Sequence, residues 1–462
     1  MHVDTKQSRR TFMRHAAQLA GAGAAAPMLS SLGLISEAAA AEGPSDYKAL
    51  VCVFLYGGND YANTLPPYDP ENHGEYARAR PRLALSRAQL AANALKQSND
   101  LKGRQFALNP SLAPLLPLFS QGSLAPIVNI GTLVEPTSKA AYQRGSVRLP
   151  PSLFSHNDQQ SCVQAFDPEG AQAGWGGRMG DLLQGSNGTS ALTCVTLSGK
   201  AIFLAGETTR PFAVSPSGIA ELMWDTQSVY GSSTAYDALV SLLTAQRSNW
   251  LADEQARITR RALEVSATVK QALGRASESK FPTFTSLENP LEDQLKMVAR
   301  LISQGPSLGL RRQVFFVGMG GWDMHSGLPR THPGLLGQLA TGLSSFHKAT
   351  EQIGVAKNVT TFTASDFGRT LRENGDGTDH GWGGVQFVMG GAVKGGRIYG
   401  TPPTTGINTN DDVDAGRLIP TTSIDQLAAT LAQWFGLPAS YLPEVVPNLV
   451  NFDKASWNLA FL

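Results

Sequence analysis

LVCVFLYGGNDYANTLPPYD, residues 50–69, decides how the rest of the chain is read. An apolar run ends abruptly in Gly57-Gly58-Asn59-Asp60. The run reads as a buried strand. Two glycines followed by a carboxylate admit two readings: a tight turn, or a metal ligand held at the end of a central strand.

Similar runs recur downstream. Residues 48–56, 124–131 and 191–199 read as strands, with a short companion at 201–204. QVFFVGMGGWDMH, from 313, is another strand that breaks at glycines; NVTTFTAS, from 358, and VQFVMGG, from 385, are two more. Between them lie helix-friendly stretches at about 233–280 and 295–302, an amphipathic helix at 332–354, and a closing helix at 422–435. Strands alternating with helices predict an α/β fold with a mostly parallel sheet. With no internal repeat or low-complexity linker, residues 46–462 read as one α/β domain with a helical insertion at about 233–303.

The totals narrow the function. The 462 residues are 16% charged, with a formal net charge of +1. Residues 1–40 hold four of the 38 basic and two of the 37 acidic residues, so the remainder carries net −1. No polyanion-binding surface follows, and nucleic acid is not an expected partner. Cys52, Cys162 and Cys194 have neither zinc-ribbon nor CxxC spacing and are too few for a disulfide framework. At the N-terminus, SRRTFM (residues 8–13) precedes an Ala/Gly/Leu-rich run and SEAAAAEG. This reads as a twin-arginine export signal over 1–41, cleaved near Ala40 or Ala41. The expected location is periplasmic or secreted, with the twin-arginine translocase as a partner during export and no stable membrane anchor.

In open α/β sheets, sites form beyond the carboxyl ends of the strands. Asp60 follows the first strand, Asp323 and His325 the strand from 313, and Asp366 the strand from 358; Asp379 and His380 come just before the strand from 385. In GWDMH, Asp323 and His325 stand at i and i+2, on one side of an extended chain. Carboxylates with imidazoles suit Zn, Mn or Fe, and oxygen-rich sites Mg or Ca. Each segment alone can be an ordinary polar turn or helix cap. His347 reads as a surface or interface residue on its helix. His332 sits at a helix start.

The chain is similar to a large bacterial family of exported proteins known chiefly as a domain of unknown function. The segments carrying the resemblance are the opening stretch, SHNDQQ, GWDMH, SDFGRT, GTDHG, MGGAVKGGRIYG and LIPTTSIDQLAATLAQWFGLP. That family is placed in the alkaline-phosphatase-like superfamily, with sulfatases, phosphopentomutases and cofactor-independent phosphoglycerate mutases. The resemblance implies an alkaline-phosphatase-like core and one or two divalent ions, Zn, Mn, Mg or Ca. It implies Asp60, Asp323, His325, Asp366 and His380 as ligands, with His332 in reserve to His325. Phe367 stands where the superfamily carries a histidine, so the ion near Asp60 and Asp366 would lack an imidazole or recruit another ligand.

The superfamily nucleophile lies at a helix N-terminus, and Ser155 in LFSHNDQQ matches; Ser is also a common N-cap, and one residue can do both. His156 beside it can contact substrate or metal. Arg369 and Asn59 are candidates to hold an anionic oxygen, Arg369 equally to pair with a carboxylate. The implied activity is metal-dependent hydrolysis of small-molecule phosphate or sulfate esters. The alternative is a non-catalytic exported binding or surface-assembly protein that retains the fold.

Overall fold

A computed structural model describes residues 47–219, 227–286 and 288–462. The expected export signal lies outside them. Eight strands form the central sheet. They are β1 (Lys48–Leu55), β2 (Leu124–Gly131), β3 (Cys194–Thr196), β4 (Phe212–Ala213), β5 (Arg312–Met319), β6 (Val359–Ser365), β9 (Gly384–Gly390) and β10 (Thr422–Ser423), in spatial order β10-β2-β9-β6-β1-β5-β3-β4. A small hairpin of β7 (Arg369–Glu373) and β8 (Thr378–His380) stands apart. β1 pairs in parallel with β5 and β6, β3 with β4 and β5, and β10 with β2. Only β9 is antiparallel to its neighbours β2 and β6. The sheet is therefore mostly parallel, as the strand–helix alternation predicts.

The opening run is continuous because β1 is buried on both faces. Val51, Val53 and Leu55 join one cluster with helices α6 (Pro290–Gln304) and α7 (Leu328–Gln352). Leu50, Cys52 and Phe54 join the other, with α3 (Trp175–Leu183) and α8 (Ile424–Phe435). The period-2 alternation of side chains divides one strand between two cores. At 1.5–3 kcal/mol for each large buried apolar side chain, roughly, β1 is a principal source of stability.

Helix boundaries follow local chemistry. Asn289 caps α6 by accepting from the N–H groups of Leu291 and Glu292, with Pro290 at the first helical position. Ser423 caps α8 in a reciprocal box with Gln426. Because Thr422 and Ser423 are taken up by β10, α8 starts two residues later than expected. The stretch expected as an insertion contains α4 (Ser233–Thr244), α5 (Trp250–Arg275) and α6; α4 buries no residue, and α6 packs on the sheet. The companion strand at 201–204 is instead a 3-10 turn, Ile202–Leu204, with Phe203 and Leu204 in the core. His347 is buried on α7, not at a surface. All three cysteines are free and buried. No helix among the described residues is long and apolar enough to cross a membrane.

Candidate metal centre

The two glycines after β1 allow three chain segments to converge. A Cβ on Gly57 would lie 2.3 Å from the backbone nitrogen of Asp323, and one on Gly58 would lie 2.6 Å from the Phe367 ring. Both glycines have positive φ, +117° and +87°. The ends of β1, β5 and β6 thus meet at one point. The N–H of Gly57 donates to Asp366 Oδ2 at 3.2 Å.

Asp323 is the hub. His156 Nε2 lies 3.3 Å from its Oδ2; His325 Nε2 and His380 Nε2 lie 3.1 and 3.2 Å from its Oδ1. The ligating atoms of His156, Asp323 and His380 all fall within 4.8 Å of one another. His156 opens helix α2 (His156–Ala165), and His380 ends β8 directly opposite Arg369 on β7.

The far side of each imidazole meets an oxygen acceptor. Nδ1 of His156 meets Asp366 Oδ2 at 2.6 Å, Nδ1 of His380 meets the Phe154 carbonyl at 2.7 Å, and Nδ1 of His325 meets Asp379 Oδ1 at 3.2 Å. Each of these oxygens can accept from Nδ1, and in a neutral imidazole whose Nδ1 carries the proton the Nε2 is left with a lone pair. The three Nε2 atoms converge on the Asp323 carboxylate, and those of His325 and His380 stand 3.0 Å apart. His156 Nε2 is buried without a hydrogen-bond partner. Acceptors gathered in this way fit a cation between them.

The electrostatics are mixed. Burial raises the Asp323 carboxyl, but the Arg369 hydrogen bond and charge, with His325 and His156, outweigh it and hold it below the usual range. The Asp366 hydrogen bond raises His156 against the effect of burial. Burial lowers His380. Phe367 packs against both, its ring 4.9 Å from that of His156 and 4.7 Å from that of His380, which lie 4.4 Å from each other. The imidazole next to Asp366 therefore comes from a helix start 210 residues earlier, not from position 367.

Of the residues expected in the site, Asp323, His325, Asp366 and His380 come together, with Asp366 behind His156. Asp60 does not join them. Its Oδ2 makes a fully buried 2.7 Å ion pair with Arg80, whose other donors reach the carbonyls of Thr370 and Leu371 and the side-chain oxygen of Asn63. The opening carboxylate is thus neutralised by an arginine and ties the end of β1 to β7. Asn59 has its carbonyl oxygen engaged elsewhere: its Oδ1 accepts from Thr64 and His332 at 2.9 and 3.1 Å. His332 is engaged there and does not replace His325. Arg369 is buried, with Nη1 2.6 Å from Asp323 Oδ1 and 3.1 Å from the Gly57 carbonyl and its remaining donors on Thr378. Its role is to pair with a carboxylate, the second of its two sequence readings.

Ser155 is the N-cap of α2, next to His156 and to the carbonyl that holds His380. Its side chain makes no capping bond to a backbone N–H, and the Asp158 carboxyl in the first turn is held below the usual range by the Glu169 N–H and, to a lesser extent, by Ser155. Sequence reasoning did not find Gln160, which donates to Asp366 Oδ2 at 2.9 Å from one turn beyond His156. The spacing of His156 and Gln160 within SHNDQQ is the signal that could have found it, since i and i+4 share a helix face.

The chain belongs to the family described as protein of unknown function (DUF1501), which it matches over residues 47–445. A comparison with curated protein sequences gives no match. Among solved structures, the chain is similar to the soluble domain of lipooligosaccharide phosphoethanolamine transferase A from Neisseria meningitidis. The two are 10% identical, with a TM-score of 0.32 over 88% of this chain and 93% of that one.

Proposed function

We propose that this member of the family is an exported, metal-dependent hydrolase of phosphate or sulfate esters with an alkaline-phosphatase-like core. The observation that carries the reading is the convergence of three imidazoles on Asp323, each with its Nδ1 occupied and its Nε2 turned inward. Metal-binding histidines have this second-shell arrangement. His156, Asp323 and His380 would hold a divalent ion, with His325 beside them; three imidazoles and a carboxylate suit Zn or Mn better than Mg or Ca. A bound ion would act as a Lewis acid on an ester oxygen.

The chain's own groups have separate tasks. Ser155 is the proposed nucleophile: its Oγ would form the new bond to phosphorus or sulfur as the bond to the alcohol breaks, the alcohol would leave with the hydroxyl's proton, and a water would then cleave the serine ester, releasing phosphate or sulfate and restoring the hydroxyl. Asp158, in the first turn of α2, would accept the hydroxyl's hydrogen bond and orient the oxygen. The N-terminus of α2 favours negative charge developing there. Arg369 and Asp366 hold Asp323 and His156 in register. The substrate is a small anionic ester. The sequence supports twin-arginine export and a periplasmic or secreted location.

A second reading is favoured by Arg369 on Asp323 and by His156, whose raised pKa suits an imidazolium between Asp323 and Asp366. In it the cluster is a charge-balanced structural clamp in a non-catalytic binding or assembly protein. Elemental analysis of the purified protein by plasma mass spectrometry separates the two. A stoichiometric transition-metal ion, with turnover of aryl phosphate or sulfate, is expected for the hydrolase. Absence of metal after incubation with excess Zn or Mn would favour the clamp.

A further inference from the structure

A cleft of about 520 Å³ opens beside the candidate centre. One wall is α2, which turns Asn157, Gln160, Ser161 and Gln164 into it. These positions are i, i+3, i+4 and i+7, a single helix face. Such a stripe is ordinarily apolar where it meets the core or charged where it meets solvent. Here it is entirely amide and hydroxyl. The facing wall carries Lys200 and Ile202, and Tyr56, adjacent to Gly57, joins cleft and centre.

The stripe retains hydrogen-bonding capacity. Gln160 uses its amide N–H on Asp366, which leaves its carbonyl oxygen. Gln164 is buried and uses its carbonyl oxygen on the Phe203 N–H, which leaves its amide group at the cleft. Among the described residues, the charged side chains in the lining are Lys200 and Glu169, of opposite sign. A polyphosphate would need more cations, and an acyl chain would need a drier, more apolar wall. Paired donors and acceptors on planar amides, with an aromatic ring and small apolar surfaces between them, match a group bearing many neutral hydroxyls.

We infer that this cleft binds the alcohol portion of the ester, and that this portion is neutral and hydroxyl-rich, a sugar or polyol. The assignment to an ester's alcohol rests on the hydrolase reading; the affinity for neutral hydroxyls does not. The test is ligand-observed NMR titration of the purified protein with three neutral disaccharides: maltose, cellobiose and N,N′-diacetylchitobiose. At least one is expected to bind with a dissociation constant below about 10 mM. Gln164→Ala should weaken binding about fivefold or more through the lost amide. Asn157→Trp, which fills the cleft and spares the Phe203 contact, should abolish binding even if Gln164→Ala fails to fold. His380→Ala should leave binding unchanged.

Failure of all three sugars to bind, or binding that survives Asn157→Trp, overturns the inference. Ester turnover without sugar binding overturns it while sparing the hydrolase reading. Sugar binding by a protein without metal or turnover sustains the cleft and removes the hydrolase.

Discussion

Nδ1 of His156 lies 2.6 Å from Oδ2 of Asp366, so an imidazole on a helix is held by the carboxylate that ends a central strand. The same oxygen also receives the Gln160 amide and the Gly57 N–H. Asp366 thus orients His156 toward Asp323. Asp366→Asn is expected to lower affinity for Zn about 10–100-fold, the usual cost of losing an outer-shell partner. Asp323→Ala and His380→Ala should remove stoichiometric metal altogether. Unchanged metal content in both alanine variants would show that the centre is assigned to the wrong residues.

Ser155→Ala tests chemistry apart from binding. Its hydroxyl makes no capping bond to the helix backbone, so its loss should leave the fold intact. Ester turnover should fall at least about a thousandfold, as expected for loss of a covalent nucleophile, while metal content stays at the wild-type level. Retained turnover would take Ser155 out of the mechanism.

Asp60 and Arg80 make the opposite prediction. Asp60→Asn leaves a buried guanidinium without its counter-charge and should destabilise the protein by about 3–5 kcal/mol in chemical denaturation. Metal content of the folded fraction should not change. A variant as stable as wild type but depleted of metal would restore Asp60 to the ligand set.

His332 gives a pH dependence. Burial lowers it from its ordinary value to about 4. The unfolded chain binds this proton near pH 6.5 and the folded chain only near pH 4, so the contribution is complete above pH 6.5 and is lost as pH falls through 4. The full linkage is about 3 kcal/mol, from 1.4 kcal/mol per pH unit. His332→Gln should flatten the stability profile between pH 6.5 and 4. An unchanged slope there would assign the acid sensitivity to other groups.

The sheet was legible because its strands are nearly all buried. A run such as residues 50–55 suits a strand buried on both faces, and the carboxylates and imidazole bordering such runs led to Asp323, Asp366 and His380. What lay hidden was pairing across distance. Nothing near Asp60 indicates that Arg80, at the end of the following helix α1 (Pro70–Ala79), will neutralise it while gripping two carbonyls near residue 370. Nothing in SDFGRT shows that the missing imidazole arrives from a helix start rather than a strand end. The glycines were read as permitting a turn. They do, but the closeness of Asp323 and Phe367 makes them a steric requirement as well.

Because β9 runs antiparallel to β6, with Phe362 opposite Val388 and Thr361 opposite Met389, the chain leaves and re-enters the sheet at the same end. Residues 366–383 form a closed excursion between two neighbouring strand ends, and this excursion carries Asp366, Arg369, Asp379 and His380. In an otherwise parallel sheet, a connection between neighbours must cross the full length of a face. Here it need not. This segment is therefore an excursion gathered at one sheet end, and because Arg80 grips its Thr370 and Leu371 carbonyls while Leu371 and Trp382 pack into core clusters, its chemistry can be varied residue by residue but not exchanged as a whole.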